Sequence, residues 1–214
     1  MDYVRKLGLN VIFAHLGYQK INNIWLEGEA GEGFVERYKN DLKLCRENGI
    51  DLVCMHLTSK SEAPEPNEIG LKRFQEIADY AQELGIKIAF ENTKIKGYQE
   101  YILKNIKNDN VGICLDSGHL HAHFKDEFDW ELFKNRIFAI HLHDNDATDD
   151  QHLIPFDGNI EWKEVIKKLK EANYNGPVTL ELCYRREYLN ITQKEFYEKA
   201  YKIGKELSKM FEQE

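Results

Sequence analysis

Short apolar runs alternate along the chain with longer amphipathic segments. The runs have the length of strands, and the apolar residues of the longer segments recur at the three-and-four spacing of a helix. The predicted strands are Leu9–Ala14, Asp51–Leu57, Ile86–Asn92, Val111–Asp116, Ile137–His143 and Pro177–Leu182. Because strand and helix alternate throughout, we expect parallel strands joined by right-handed crossovers.

Helix end signals support the same alternation. The predicted helices are Phe34–Asn48, Glu68–Leu84, Ile160–Asn173 and a last helix that runs nearly to the C-terminus. Gly49 ends the first of them, and Asn159 or Asp157 is the predicted cap of the third. The sequence from Thr192 to Glu195 is a capping-box pattern, which predicts the start of the last helix.

The two faces of each predicted strand differ in side-chain size. In Val111–Asp116, the face of Asp116 also holds Gly112 and Cys114, whereas the other face is bulky and aliphatic. Side chains alternate across a strand. A barrel with helices outside and a polar mouth needs this asymmetry, whereas a doubly wound sheet is apolar on both faces. The pattern therefore predicts an α/β protein of the (β/α) barrel type.

Residues with nitrogen or oxygen donors end the predicted strands on the inward face. They are His15, His56, Glu91, Asp116, His141 and Glu181. His119 follows in the sequence LDSGH, and the stretch HLHDNDATDDQH at 141–152 adds Asp150 and His152. Neighbouring carboxylates repel unless a cation lies between them, so we expect a divalent metal. His143 and Asp146 are interpreted either as groups that support the metal ligands or as surface groups, and the solvated surface position is favoured.

Composition narrows the classes of function. The chain has 29 Lys and Arg against 37 Asp and Glu, a net charge of −8, which disfavours a nucleic-acid partner. Four cysteines without a CxxC pair fit a reducing cytoplasm. The N-terminus lacks the apolar region of a signal peptide, and no apolar run approaches about 18 residues. We therefore expect a soluble cytoplasmic protein with a small-molecule substrate and no membrane partner.

Several segments resemble the xylose-isomerase-like TIM barrels, which include sugar (phosphate) isomerases and epimerases and also endonuclease IV. They are IAFENT at 88–93, GICLDSGH at 112–119, AIHLHDND at 139–146, DQHLIPFDGNIEW at 150–162 and VTLELC at 178–183. The resemblance implies that one catalytic divalent ion is bound by Glu91, Asp116, His141 and Glu181. It also implies that His119 lies beside the substrate and that Asp150 and His152 face the pocket.

The family has two chemistries. The sugar branch implies a manganese, magnesium or cobalt ion, with Glu91 and Glu181 moving a proton through an enediolate of a sugar or sugar phosphate. The endonuclease IV branch implies a zinc cluster that hydrolyses abasic DNA and is completed by His15, His56, His119, Asp150 and His152. The acidic chain favours the sugar branch, as does Gln19, which stands where an intercalating apolar residue would follow Tyr18.

The family barrel has eight strands, whereas this chain shows six β/α units, so the first two strands are expected to be absent. We treat residues 1–214 as a single domain. A start at an internal methionine, completion by a partner chain and a reduced barrel all remain open explanations. Uncovered sheet edges favour association, which predicts a homo-oligomer. A non-catalytic metal- or sugar-binding protein is the third functional hypothesis.

Overall fold

The computed structural model describes residues 1–60, 62–124 and 127–212. The chain divides into two compact units, Met1–Ile113 and Cys114–Glu214. The α-helices are α1 Asp2–Lys6, α2 Glu29–Glu47, α3 Glu68–Glu83, α4 Tyr98–Asn105, α5 Ser117–His119, α6 Trp130–Phe133, α7 Trp162–Glu171 and α8 Gln193–Glu212. The strands are β1 Ala14–His15, β2 Leu52–Met55, β3 Lys87–Glu91, β4 Val111–Asp116 and β5 Ile137–His141.

Parallel pairing in the first unit brings small side chains into line with a histidine. Strands β1 and β2 pair in parallel with His15 opposite Cys54, and β2 and β3 pair in parallel with Cys54 opposite Ala89. Strand β4 is the next neighbour of β3. The strand face predicted to carry small residues is therefore confirmed here, and it ends in the ligand-type residues His56 and Glu91.

Helix α3 illustrates how local signals and packing agree. Asn67 caps it by accepting hydrogen bonds from Ile69 N and Gly70 N at 3.0 and 3.1 Å, an interaction that contributes about 1 kcal/mol. The central part of its apolar stripe, Phe74, Ile77, Ala78 and Ala81, is fully buried. The predicted helix over 68–84 is confirmed with one residue fewer at its C-terminal end.

Helix α2 begins five residues earlier than predicted, at Glu29 instead of Phe34. Glycines at 28, 31 and 33 lower the local helix propensity, which hides the first turn from a periodicity analysis. The buried guanidinium of Arg73 supports this region, because it donates to the carbonyl oxygens of Ile24 at 3.0 Å and Gly28 at 3.2 Å. A long-range contact thus decides where the helix starts.

Two predicted strands are largely lost in the structure, whereas β2, β3 and β5 each begin and end within two residues of the predicted bounds. Of Leu9–Ala14, only Ala14 lies in β1, which continues to His15, and Leu9 is 56% exposed. Pro177–Leu182 contributes one parallel bridge, between Leu142 and Leu180. Apolar alternation reports burial, whereas a strand also needs a series of backbone partners, and these segments have few among the described residues.

In the second unit β5 neighbours β4, and α7 begins two residues later than predicted. The predicted caps are wrong, since Glu161 occupies the N-cap position and no side chain caps it. Asn159 instead contacts the ring of His121 at 2.6 Å. Asp157 accepts from Tyr188 Oη at 2.8 Å. Both side chains are used by long-range partners that the local pattern does not show.

The predicted capping box of α8 is confirmed. Glu195 N donates to Thr192 Oγ1 at 3.2 Å, and Thr192 N donates to Glu195 Oε2 at 2.8 Å. The helix packs Phe196 and Ala200 into an apolar cluster with Leu153, Ile154 and Tyr188. Among residues 1–60, 62–124 and 127–212, no helix is both long enough and apolar enough to cross a membrane.

Candidate metal centres

Three predicted site residues meet at one carboxylate oxygen in the first unit. Glu91 Oε2 lies 3.2 Å from His15 Nε2 and 3.4 Å from His56 Nε2. Cys54 Sγ donates to the same oxygen at 3.4 Å. Ligand atoms of His15, His56 and Glu91 all lie within 4.8 Å of one another. The parallel register of β1, β2 and β3 creates this cluster by aligning the strand ends.

The tautomer of His15 follows from its backbone partner. Its Nδ1 lies 3.0 Å from Leu16 O, so Nδ1–H donates and Nε2 is directed at Glu91. Burial disfavours the charged ring, but the hydrogen bonds with Cys54 and Glu91 outweigh it and raise the pKa of His15 from 6.5 to about 10. A ring nitrogen that faces a carboxylate in this way favours a cation between them, either a proton or a metal ion.

Tyr18 orients the second histidine of this cluster. Its ring stacks on His56 with centroids 3.8 Å apart and an interplanar angle of 10°. In the sequence, Tyr18 matches part of a DNA-contacting loop. The structure shows that it restricts the rotation of a potential metal ligand.

In the second unit, Asp116 ends β4 and caps α5. Its Oδ1 accepts from His119 N at 2.6 Å, and His119 Nδ1 lies 3.5 Å from the same oxygen. His143 Nε2 lies 3.1 Å from both carboxylate oxygens of Asp116. Asp116 and His143 are fully buried, so this carboxylate is held between two histidines away from solvent.

Asp150 forms a second carboxylate centre in the same unit. His119 Nε2 lies 3.3 Å from its Oδ2, and His152 Nε2 lies 3.3 Å from its Oδ1. Burial disfavours the carboxylate, but hydrogen bonds to His119 and His152 outweigh it and hold the pKa of Asp150 well below 3.8. His152 Nδ1 lies 3.0 Å from the carbonyl oxygen of Glu181, which directs Nε2 toward Asp150 as His15 is directed toward Glu91.

His141 and Glu181 supply the remaining predicted ligands of the second unit. His141 ends β5 and is 3% exposed. Its Nδ1 lies 3.1 Å from Glu181 Oε2, yet the contact lacks hydrogen-bond geometry, and no other described residue donates to that buried oxygen. An unsatisfied buried carboxylate oxygen is costly. The residues therefore fit a cation that both side chains would bind.

The stretch 141–152 divides into a buried part and an exposed part. Residues 141–145 are buried and 146–149 are exposed. The expectation of a solvated His143 is wrong, because Asp116 gives its ring a buried partner. The same expectation is confirmed for Asp146, which accepts from Thr148 N at 3.0 Å in an exposed turn.

Asp144 is a buried carboxylate that the sequence analysis missed. Its Oδ1 accepts from Asn145 N at 2.9 Å and Ile160 N at 3.1 Å, while its Oδ2 accepts from Phe156 N at 2.9 Å and Trp162 Nε1 at 2.8 Å. It organises the loop that leads into α7. The one signal in the sequence was the indole of Trp162, since a buried N–H needs an acceptor.

The predicted four-ligand set divides between the units. Glu91 belongs to the first unit, while Asp116, His141 and Glu181 belong to the second. Within its own unit, each of these four residues lies beside another side chain of a type that can bind a metal. That one ion is bound by all four remains a prediction of the resemblance.

Comparisons with known proteins identify relatives with different names. The chain is 27% identical over 187 residues to inosose isomerase of Bacillus subtilis (strain 168), covering 78% of this chain and 66% of that protein. It is 30% identical over 133 residues to a probable endonuclease 4 of Mycoplasma capricolum subsp. capricolum, covering 52% of this chain and 45% of that protein. The chain spans from 40% to 66% of the length of the first curated relatives it matches.

Solved structures show the same fold. A D-tagatose 3-epimerase-like protein matches with a TM-score of 0.73 and 27% identity, covering 96% of this chain and 83% of that one. A zinc-bound IOLI protein matches with a TM-score of 0.78 and 23% identity, covering 99% and 82%. The family model described as a xylose isomerase-like TIM barrel matches residues 2–207. The chain therefore belongs to the xylose isomerase-like TIM-barrel family.

Proposed function

We propose that the protein is a divalent-metal-dependent isomerase or epimerase of a sugar or related polyhydroxy carbonyl compound. The observation that carries the proposal is the buried Glu181 Oε2, which lies 3.1 Å from His141 Nδ1 without hydrogen-bond geometry. A metal ligand needs such an oxygen, because fixed donors do not already saturate it. The relatives named inosose isomerase and D-tagatose 3-epimerase-like support the reaction class.

The proposed ligands are Glu91, Asp116, His141 and Glu181. A divalent ion held by them would polarise the substrate carbonyl and acidify the neighbouring C–H. Glu181 is the proposed base in the second unit, with a side chain that is 38% exposed and so accessible to substrate. Glu91 is the proposed second proton-transfer group. An oxygen-rich set favours manganese, magnesium or cobalt. Whether the substrate carries a phosphate stays open within this proposal.

Metal content and proton exchange test the proposal together. Protein purified without a nickel column or chelator is analysed by inductively coupled plasma mass spectrometry, and about one ion per chain is expected. The protein is then incubated in D2O with inososes, ketopentoses and ketohexoses, while NMR follows deuterium at the carbon beside the carbonyl. Glu181→Gln and Glu91→Gln should each slow the exchange by about 10² to 10⁴-fold.

Glu198→Gln is the matched control, because Glu198 is 57% exposed on α8 and pairs only with Lys194 among the residues described. It should exchange like the wild type. Exchange that persists in Glu181→Gln would contradict the assignment of the base. Bound metal without exchange on any compound would instead favour a non-catalytic binding protein.

A zinc phosphodiesterase acting on abasic DNA is the second candidate. It is favoured by two histidine–carboxylate groups, one in each unit, whose histidines are not part of the ligand set of the single-metal sugar site. They are His15, His56 and Glu91, and His119, Asp150 and His152. Two or three zinc ions per chain, with cleavage of an abasic duplex that His56→Ala abolishes, would establish this candidate.

Association with a second copy also remains a proposal. Size-exclusion chromatography with light scattering gives the mass directly, and a dimer is the expected result if uncovered strand edges pair between copies.

A further inference from the structure

His143 has no role in the proposed ligand set, yet it lies between the carboxylates of Asp116 and Asp150. It is fully buried. Its Nε2 lies 3.1 Å from both oxygens of Asp116 and 3.7 Å from Asp150 Oδ1. Equal distances to the two oxygens indicate that one N–H is shared across the Asp116 carboxylate, and this contact opposes rotation of the carboxylate about its terminal bond.

The backbone fixes both partners of this contact. Ser117, which directly follows Asp116, donates from Oγ to His143 O at 2.8 Å. In return, His143 N lies 3.0 Å from Ser117 Oγ. The segments that carry His143 and Asp116 are therefore held beside each other independently of the two side chains. This arrangement lowers the entropy that the side chains lose when they pair.

The ring has space only because position 118 is glycine. A Cβ at Gly118 would lie 1.9 Å from His143 Cε1 and 2.4 Å from its Nδ1. On its other side the ring stacks on His152, with centroids 4.1 Å apart and an interplanar angle of 16°. His143 is thus confined between a glycine and another histidine, with its Nε2 directed at a carboxylate.

We propose that His143 is a positioning residue that holds the Asp116 carboxylate in the orientation needed to bind a divalent cation. The inference rests on the proposed function, which makes Asp116 a metal ligand. Groups that hydrogen-bond to a metal ligand orient it and tune its affinity, and their loss commonly weakens metal binding about 10 to 100-fold. The ring would do so through its Nε2–H, while its stacking on His152 is secondary.

Two substitutions test the N–H donor of His143 and its aromatic ring separately. His143→Phe keeps an aromatic ring against His152 but removes the N–H donor, whereas His143→Gln keeps an N–H donor and removes the ring. Zinc and manganese affinities are measured on metal-free full-length protein by competition with a chromophoric chelator. His143→Phe should weaken binding about 10 to 100-fold, and His143→Gln should stay close to the wild type. His121→Phe is the control, since His121 contacts Asn159 and no carboxylate among the described residues.

A second readout does not depend on any variant folding. In metal-free wild-type protein, ¹⁵N NMR should show a proton on Nε2 of His143, and a lone pair on Nε2 would overturn the proposal. Wild-type affinity in His143→Phe would overturn it as well, while leaving the proposed function intact. Equal weakening in both variants would assign the effect to ring packing and also overturn it. A wild-type protein that binds neither zinc nor manganese would refute both proposals.

Discussion

Two aspartates of the second unit are both fully buried, but their partners differ in kind. Asp144 accepts hydrogen bonds from three backbone amides and one indole. Asp116 accepts from one backbone amide and faces the titratable ring of His143. An ionised carboxylate has about four acceptor sites, so the described partners of Asp144 already fill that capacity. Burial of a carboxylate is therefore not enough to identify a metal ligand.

The difference assigns separate roles to the two residues. The donors around Asp144 cannot change protonation state near neutral pH, and they tie the loop 156–160 to the end of β5. Gly158 allows this close approach, because a Cβ there would lie 2.3 Å from Asp144 Oδ1. Besides one backbone amide, the groups around Asp116 include the imidazoles of His119 and His143, a side-chain type that also binds metals. Asp144 thus stabilises the loop, while Asp116 is suited to binding a cation.

The largest expected effect is on Asp144. In Asp144→Asn an amide NH₂ replaces one carboxylate oxygen, so that it faces two N–H donors whichever way it is oriented. Losing two hydrogen bonds to a charged group should lower the free energy of unfolding by about 3–5 kcal/mol. Equilibrium urea denaturation of the metal-free protein measures this loss. A change below about 1 kcal/mol would show that Asp144 does not organise the loop.

Asp116→Asn should weaken metal binding strongly while changing the stability of the protein little. Its carbonyl oxygen can still accept from His119 N, and its NH₂ can donate to His143 after that ring changes tautomer, so urea denaturation should change little. Loss of the anionic ligand should weaken zinc or manganese binding at least ~100-fold, equivalent to about 2.7 kcal/mol. If Asp116→Asn unfolded the protein while binding metal normally, the assigned roles would be reversed.

The comparison extends to the first unit, where Glu91 also faces titratable partners. The pKa of His15 is raised from 6.5 to about 10, so its pairing stabilises the folded chain fully below pH 6.5. That contribution is lost as the pH rises toward 10. Because the side chain is 29% exposed, we expect a loss of only about 1–2 kcal/mol.

Urea denaturation in the presence of chelator, at pH 6 and at pH 9.5, measures this change for the wild type and for His15→Gln. His15→Gln should lack this pH-dependent contribution to the free energy of unfolding. Identical pH profiles would mean that the imidazolium–carboxylate pair does not form in the metal-free protein.

The smallest effect is expected at Asp146, the exposed aspartate of the same stretch. It accepts from Thr148 and Asp146→Ala should therefore change only a surface turn. The unfolding midpoint and the zinc affinity should both match the wild type. A measurable loss of affinity would place Asp146 among the cation-binding groups, contrary to the division of the stretch into buried and exposed parts.

Much of the fold followed from local patterns. The periodicity of α3 and the capping box of α8 predicted both helices, and parity along the strands predicted the face on which small residues accompany His56 and Glu91. The failures share one cause, since each depends on a distant partner. Arg73 supports the early start of α2, and His121 and Tyr188 contact the predicted caps of α7. Among the residues that the structure describes, Leu142 is the one bridge partner of 177–182.

The candidate ligands were predictable because parallel strands bring their C-terminal residues together, so a histidine or carboxylate at a strand end predicts a site. The residue pattern was sufficient to predict the alternation of strands and helices, the family and a set of candidate cation ligands. Three features required the folded structure: the saturation of Asp144, the contact of Asp116 with His143, and a Glu181 Oε2 that accepts no hydrogen bond from the described residues. The type of a residue determines which partners its side chain can bind. The partner found in the folded protein depends on which distant segment packs against it.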